Sequence, residues 1–247
     1  MNKILLTILT CFAVTNVYAH CDGCGTESKH KHGTLKGNVK YEGKVPKPKS
    51  LRLDADPFCG SSHDGKVFSE SFVIDEKMNL KNVLVWLKDA AYSGEITQEP
   101  AILDQKGCLY TPHVLGVMKG QTVLIKNSDN TLHNIHSMAE KNDQFNYAMP
   151  SVVKEKKTIF NETEEPFYIK CDVHPWMKSW VLVEDHPYFA VTDEQGNFSI
   201  ENIPPGQYEV IAWQEKFKMK RSILKTIVIK DSSETVQDFV FVKPSKK

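Results

Sequence analysis

The densest chemistry in the chain lies in Cys171-Asp-Val-His174-Pro-Trp-Met177. A thiolate, an imidazole and a thioether on so short a loop can reach one metal ion from one side. Completed by a second imidazole, this is the donor set of a blue-copper centre: a trigonal plane of one sulfur and two nitrogens, with a weak axial thioether. Pro175 stiffens the loop, and stiff donors move little when a metal changes oxidation state. Structural zinc fits less well, because it favours several cysteines in CxxC-like pairs. A lone cysteine beside histidines also suits nucleophilic catalysis, but no base or oxyanion arrangement accompanies this one. The reading is therefore of a protein with no catalytic residue, not an enzyme.

The second imidazole must come from elsewhere. Asn127-Ser-Asp-Asn-Thr-Leu-His133-Asn-Ile-His136 follows a strand pattern and offers two. Three residues apart in an extended segment, His133 and His136 face opposite sides, so one of them reaches the ion. Asn134, between them, is placed to hydrogen-bond across to the Cys171 loop and hold the two halves together.

The elements that must position these side chains read as strands. Leu35, Val39 and Tyr41 mark one that ends at Gly43 and Pro46, before a Pro/Lys turn or linker at 45–49. Asn82-Val-Leu-Val-Trp-Leu87 is rich in β-branched and aromatic residues. Residues 114–118, 122–126, 167–170 and 180–184 share that character, as do 198–200, 208–213, 226–229 and 237–242. Turn signals such as Asp193-Glu-Gln-Gly196 and Pro204-Pro-Gly206 separate them, and no long segment has helical periodicity. Short, evenly spaced strands of this kind predict an all-β chain of sandwich domains.

The compartment follows from the start of the chain. Lys3, an apolar run from Ile4 to Val14 and the small-residue pattern Val17-Tyr-Ala19 predict a signal peptide over 1–19, and hence export to a periplasm. The run is too short for an ordinary membrane span, so none is expected after cleavage. Six cysteines fall to five without Cys11, an odd number in an oxidising compartment. Cys171 is the one expected to have another task, leaving Cys59 and Cys108 free to pair and Cys21 with Cys24 as a CxxC. Residues 20–32 form a polar tail whose Cys21, Cys24, His30 and His32 are metal-capable. The formal net charge is +0, with no basic block, which argues against a nucleic-acid partner.

Taken together, Tyr110-Thr-Pro-His-Val-Leu-Gly-Val-Met-Lys-Gly120, His133-Asn134 and the Cys-x2-His-x2-Met loop resemble the small blue-copper cupredoxins, and the loop spacing is similar to amicyanin and plastocyanin-like members. The resemblance covers about a third of the chain. It implies a Greek-key β-sandwich over 105–186 holding one type 1 copper on His133, Cys171, His174 and Met177, with His136 left out. Gly33-Thr-Leu-Lys-Gly-Asn-Val39, the strand at 82–87, Val191-Thr-Asp-Glu-Gln-Gly-Asn-Phe-Ser-Ile200 and Ile203-Pro-Pro-Gly-Gln-Tyr-Glu-Val210 resemble a carboxypeptidase regulatory-like domain. That family implies a transthyretin-like β-sandwich, here over 33–104 plus 187–247, into or onto which the cupredoxin is inserted or packed.

The expected function is a one-electron carrier, with electrons passing through a solvent-facing edge of His174 to a redox partner such as a c-type cytochrome or a dehydrogenase. Two other readings compete: copper handling, with the Cys/His tail capturing metal, and an interaction module in which copper is structural. Lesser candidates have plainer readings. Cys108 with His113 is a weaker metal pair than a Cys59–Cys108 disulfide. His63 reads as a loop histidine and His186 as a cap on the junction at 185–188. Trp176, Met138 and Met149 are either docking contacts or packing.

Overall fold

Strands that alternate apolar and polar residues cover one side of a core, and strands apolar at every position must be buried on both sides. The chain contains both kinds, and the computed structural model stacks them in four layers. It describes residues 32–217 and 219–243, so the expected signal peptide and Cys21, Cys24 and His30 lie outside the described residues. The fold is all-β.

Two sandwiches are present. The first packs the sheet of Gly33–Glu42, Asn197–Ile203, Glu234–Val236 and Phe239–Val242 against the sheet Phe189–Val191, Leu84–Lys88, Gly206–Trp213, Ile223–Ile229. Leu35, Val85, Leu87, Phe198, Val210 and Phe239 fill the space between them. In the second, Asn146–Met149, His133–Ser137, Glu164–Lys170, Lys178–Glu184 and Val114–Met118 form a five-stranded sheet. It faces the sheet Glu155–Ile159, Thr122–Asn127, Ala101–Lys106, Leu109–Thr111 across a core that includes Leu103, Ile125, Ile135, Ile169 and Val181.

A third apolar cluster joins the sandwiches. Leu84 and Trp86 point out of the first, Val114 and Leu182 out of the second, and Trp213 fills between them. This explains the unbroken apolar runs Leu84–Leu87 and Val181–Val183: alternate residues serve different cores. Gly116 sits at this seam, where a Cβ would lie only 2.4 Å from the Phe189 ring.

The boundary expected at 104/105 moves. Ala101–Lys106 pairs in parallel with Thr122–Asn127, from Ala101 opposite Val123 to Gln105 opposite Asn127, so it belongs wholly to the second sandwich. Residues 51–67, expected in the first unit, pack on the second through Leu51, Leu53, Phe58, Cys59 and Val67. No sequence periodicity distinguishes which of two adjacent cores an amphipathic segment will choose.

Candidate metal centre

Backbone pairing brings the two halves of the site together. The strand His133–Ser137 pairs with Glu164–Lys170, placing Lys170 opposite His136, so the chain leaves the sheet at Cys171 close to the histidine strand. The loop then turns tightly: Met177 N–H donates to His174 O at 2.9 Å and Cys171 N–H to Met177 O at 3.3 Å. The Cys171 sulfur accepts from the backbone N–H of His174 at 3.3 Å and of Asn134 at 3.4 Å. Both contacts stabilise sulfur as an anion.

Three donor atoms converge. His133 Nδ1 lies 2.9 Å from His174 Nδ1, and Cys171 Sγ lies 3.9 Å from the same nitrogen. All three fall within 4.8 Å of one another and belong to buried residues. Single ions bind such nitrogens and sulfurs at about 2.0–2.3 Å, so one ion fits between them. Met177, the fourth expected ligand, is buried in the same core.

The far sides of both imidazoles meet carboxylates. His133 Nε2 is 2.8 Å from Asp129 Oδ2. Asp129 is itself held by the Gly107 and Cys108 amides, each at 2.7 Å. His174 Nε2 is 3.4 Å from Asp56 Oδ2. A carboxylate on the remote nitrogen leaves Nδ1 as the free donor and fixes the ring's orientation. Burial pulls the His133 pKa down, but the Asp129 and Cys171 hydrogen bonds outweigh it and hold it above the ordinary value. Burial pushes the Cys171 thiol up, yet His133 and the surrounding amides bring it below its usual value. Burial lowers His174, with Asp56 opposing and the neighbouring His133 adding to the effect.

Other expected positions resolve as follows. His136 turns away from the cluster, with Nδ1 2.9 Å from Asp172 Oδ2. Asn134 does bridge to the loop, its Oδ1 accepting from Asp172 N–H. Cys59 and Cys108 form a disulfide. His113 stands apart from it, with Nδ1 against Lys178 O at 3.1 Å and Nε2 3.4 Å from Glu215. His63 contacts Gly107 O at 2.7 Å, and buried His186 accepts from Tyr188 N–H at 3.2 Å, as a cap on that junction would. Met149 is fully buried and so no docking residue, while Trp176 packs beside His174 with ring centroids 5.1 Å apart.

One expectation fails. The edge of His174 was to meet solvent, but the residue is only 2 % exposed. The short helix Pro57–Ser61 and its disulfide cover it, with Cys59 Sγ 3.6 Å from His174 Nε2. Asp129 and Asp56 were not singled out from the sequence. Asp129 carried a local signal, lying four residues before His133; Asp56 carried none.

A model of polysaccharide lyase family 4, domain II, matches residues 164–237, a stretch that crosses from the second sandwich into the first. No curated protein matches the chain. Several solved structures are similar to part of this chain. They include the purple cupredoxin from Nitrosopumilus maritimus, at 25 % identity and TM-score 0.29 over 34 % of this chain and 99 % of that one. An amicyanin variant in its Cu(I) form matches at 21 % identity and TM-score 0.31 over 40 % of this chain and 98 % of that one. The copper-containing nitrite reductase from Thermus scotoductus SA-01 matches at 18 % identity and TM-score 0.33 over 39 % of this chain, but this covers only 25 % of the reductase. The donor atoms of this chain, His133 Nδ1, His174 Nδ1 and Cys171 Sγ, themselves form a set that could hold a metal.

Proposed function

We propose that the chain is an exported type 1 copper protein that carries single electrons, with His133, Cys171, His174 and Met177 as ligands. The observation that carries this reading is the convergence of one thiolate and two imidazole Nδ1 atoms in a buried pocket. When bound, copper supplies a one-electron couple between Cu(II) and Cu(I). The protein supplies the rest. Cys171 contributes a thiolate already favoured by its amide donors and His133. Asp129 and Asp56 orient the imidazoles. Asn134 ties the histidine strand to the loop, and burial keeps water from the donors. Donors held this firmly suit electron transfer, because little rearrangement accompanies a change of charge.

The reading includes no catalysis. Donors sealed on all sides also suit retention of a metal better than its transfer to another protein. The redox partner is inferred to be a c-type cytochrome or a dehydrogenase that docks transiently in the periplasm. Among the described residues, no helix is long and apolar enough to cross a membrane.

The test is an optical and EPR spectrum of the protein loaded with Cu(II), beside Cys171→Ser. An intense visible thiolate-to-copper band with narrow copper hyperfine splitting, lost in the variant, is the expected result. A colourless protein, or a tetragonal copper signal indifferent to the substitution, removes the carrier reading.

A further inference from the structure

The segment over His174 is built rather than draped. Its base is closed by Leu51 N–H to Val67 O at 2.9 Å and Ser69 N–H to Lys49 O at 2.8 Å. Its apolar side chains Leu51, Leu53, Phe58 and Val67 enter the second core. Its helix is locked to the Gly107–Cys108 turn by the Cys59–Cys108 disulfide, and His63 grips the same turn through Gly107 O at 2.7 Å.

Within this segment one carboxylate does two things. Asp56 Oδ1 accepts from the Phe58 and Cys59 amides at 2.8 and 3.0 Å, capping the helix that carries the disulfide. Its Oδ2 faces His174 Nε2. The Cys108 amide on the other side of the disulfide donates to Asp129, whose Oδ2 faces His133 Nε2. The disulfide thus links the carriers of both outer carboxylates into one frame behind the two imidazoles.

We propose that residues 51–67 form a permanent lid on the metal centre, with Asp56 as a positioning residue that holds His174 Nδ1 toward Cys171 and closes its remote edge to solvent. This rests on the copper reading for its effect on a metal, but the lid itself is measurable without one. It also moves the electron exit. A partner meets the exposed residues Val173 and Pro175 and the half-buried Trp176 rather than the His174 ring.

The experiment uses the full chain, with Asp56→Ser as the variant. Serine still caps a helix, so the lid's fold is retained while the carboxylate is lost. Asp54→Ser removes an exposed charge from the same lid and serves as the control. In metal-free protein labelled with 15N-histidine, NMR is expected to find the His174 proton on Nε2. Its exchange with solvent should accelerate at least about tenfold in Asp56→Ser, the scale of one lost charge-assisted hydrogen bond, and stay unchanged in Asp54→Ser. In copper-loaded protein, Asp56→Ser should favour Cu(I) by about tenfold, a rise of about 59 mV for a one-electron couple, with a much smaller change in Asp54→Ser. Fast exchange already in the unaltered protein, or equal effects of the two variants, overturns the lid. Absence of the thiolate band in the unaltered protein overturns the copper reading instead, while the NMR result still decides the lid.

Discussion

The interiors of the two sandwiches differ in the kind of polar group they bury. Apart from His186 at the junction with the second, the buried polar side chains of the first among the described residues are Asn79, Asn82, Thr192 and Gln214. Each is neutral and ties a loop: Thr192 accepts from Val83 N–H at 3.0 Å and donates to Leu80 O at 2.7 Å, and Gln214 donates to Ser71 O at 2.8 Å. The second buries comparable staples, such as Asn127 on Met149 O at 2.8 Å, but adds Asp129, His133, Glu164, Cys171 and His174. Ionisable groups are costly to bury unless paired or bound to a metal. Glu164 is answered by backbone amides and Asn142. Of the other four, His133, Cys171 and His174 converge on a single point, and Asp129 pairs with His133 from behind. Neutral staples fix a fold; a knot of facing ionisable groups has a cost that the fold alone does not require.

If that contrast is right, damage to the first interior should lower stability and leave the metal centre's spectrum intact. Phe239→Ala, at a site 1 % exposed, should cost roughly 3–5 kcal/mol, measured by denaturant melts, with the copper band unchanged in the folded protein. Cys59→Ser with Cys108→Ser should cost about 4 kcal/mol from the loop its ends enclose. Unlike Phe239→Ala, it should also shift the copper potential, read by redox titration, because it loosens the frame behind both imidazoles.

The seam offers a pH test. Burial, with Asp185 and Asp89 nearby, raises the Glu184 pKa from 4.5 to about 7. A carboxyl raised on folding contributes its stability below its unfolded pKa and loses it as pH climbs through the folded one. Glu184→Gln should therefore match the unaltered protein near pH 4 and exceed it at pH 8, by up to roughly 3 kcal/mol before any solvent screening. Equal melts at pH 8 would remove this claim. Smallest of all, Thr192→Val should cost about 1 kcal/mol by denaturant melts and leave every spectroscopic feature in place.

Legibility in the sequence tracked distance along the chain. The Cys171–Met177 loop is local, so its donor types and spacing were visible at once, and the alternation around His133 showed that only one of its two histidines could face inward. The strand expected over 82–87, observed at Leu84–Lys88, was plain from its β-branched and aromatic residues, but not that its two faces serve different cores, because an apolar run names no partner. Asp56 was invisible. It meets a histidine more than a hundred residues away through a segment with little periodicity of its own, and a solvent-facing His174 was expected in its place. The Cys59–Cys108 pairing was recoverable only by counting cysteines.

The first strand also has a temporal consequence. Gly33–Glu42 lies in register with Phe239–Val242, at the opposite end of the described chain, and takes its other neighbour from Asn197–Ile203. The sheet that opens the described residues therefore stays unfinished until Phe239–Val242 has been delivered, while Leu84 and Trp86 wait uncovered for Trp213. Such long-range closure is slow and leaves sticky strands exposed in the meantime. The central sandwich, whose strands are contiguous in sequence from Ala101 to Glu184, is free to form first.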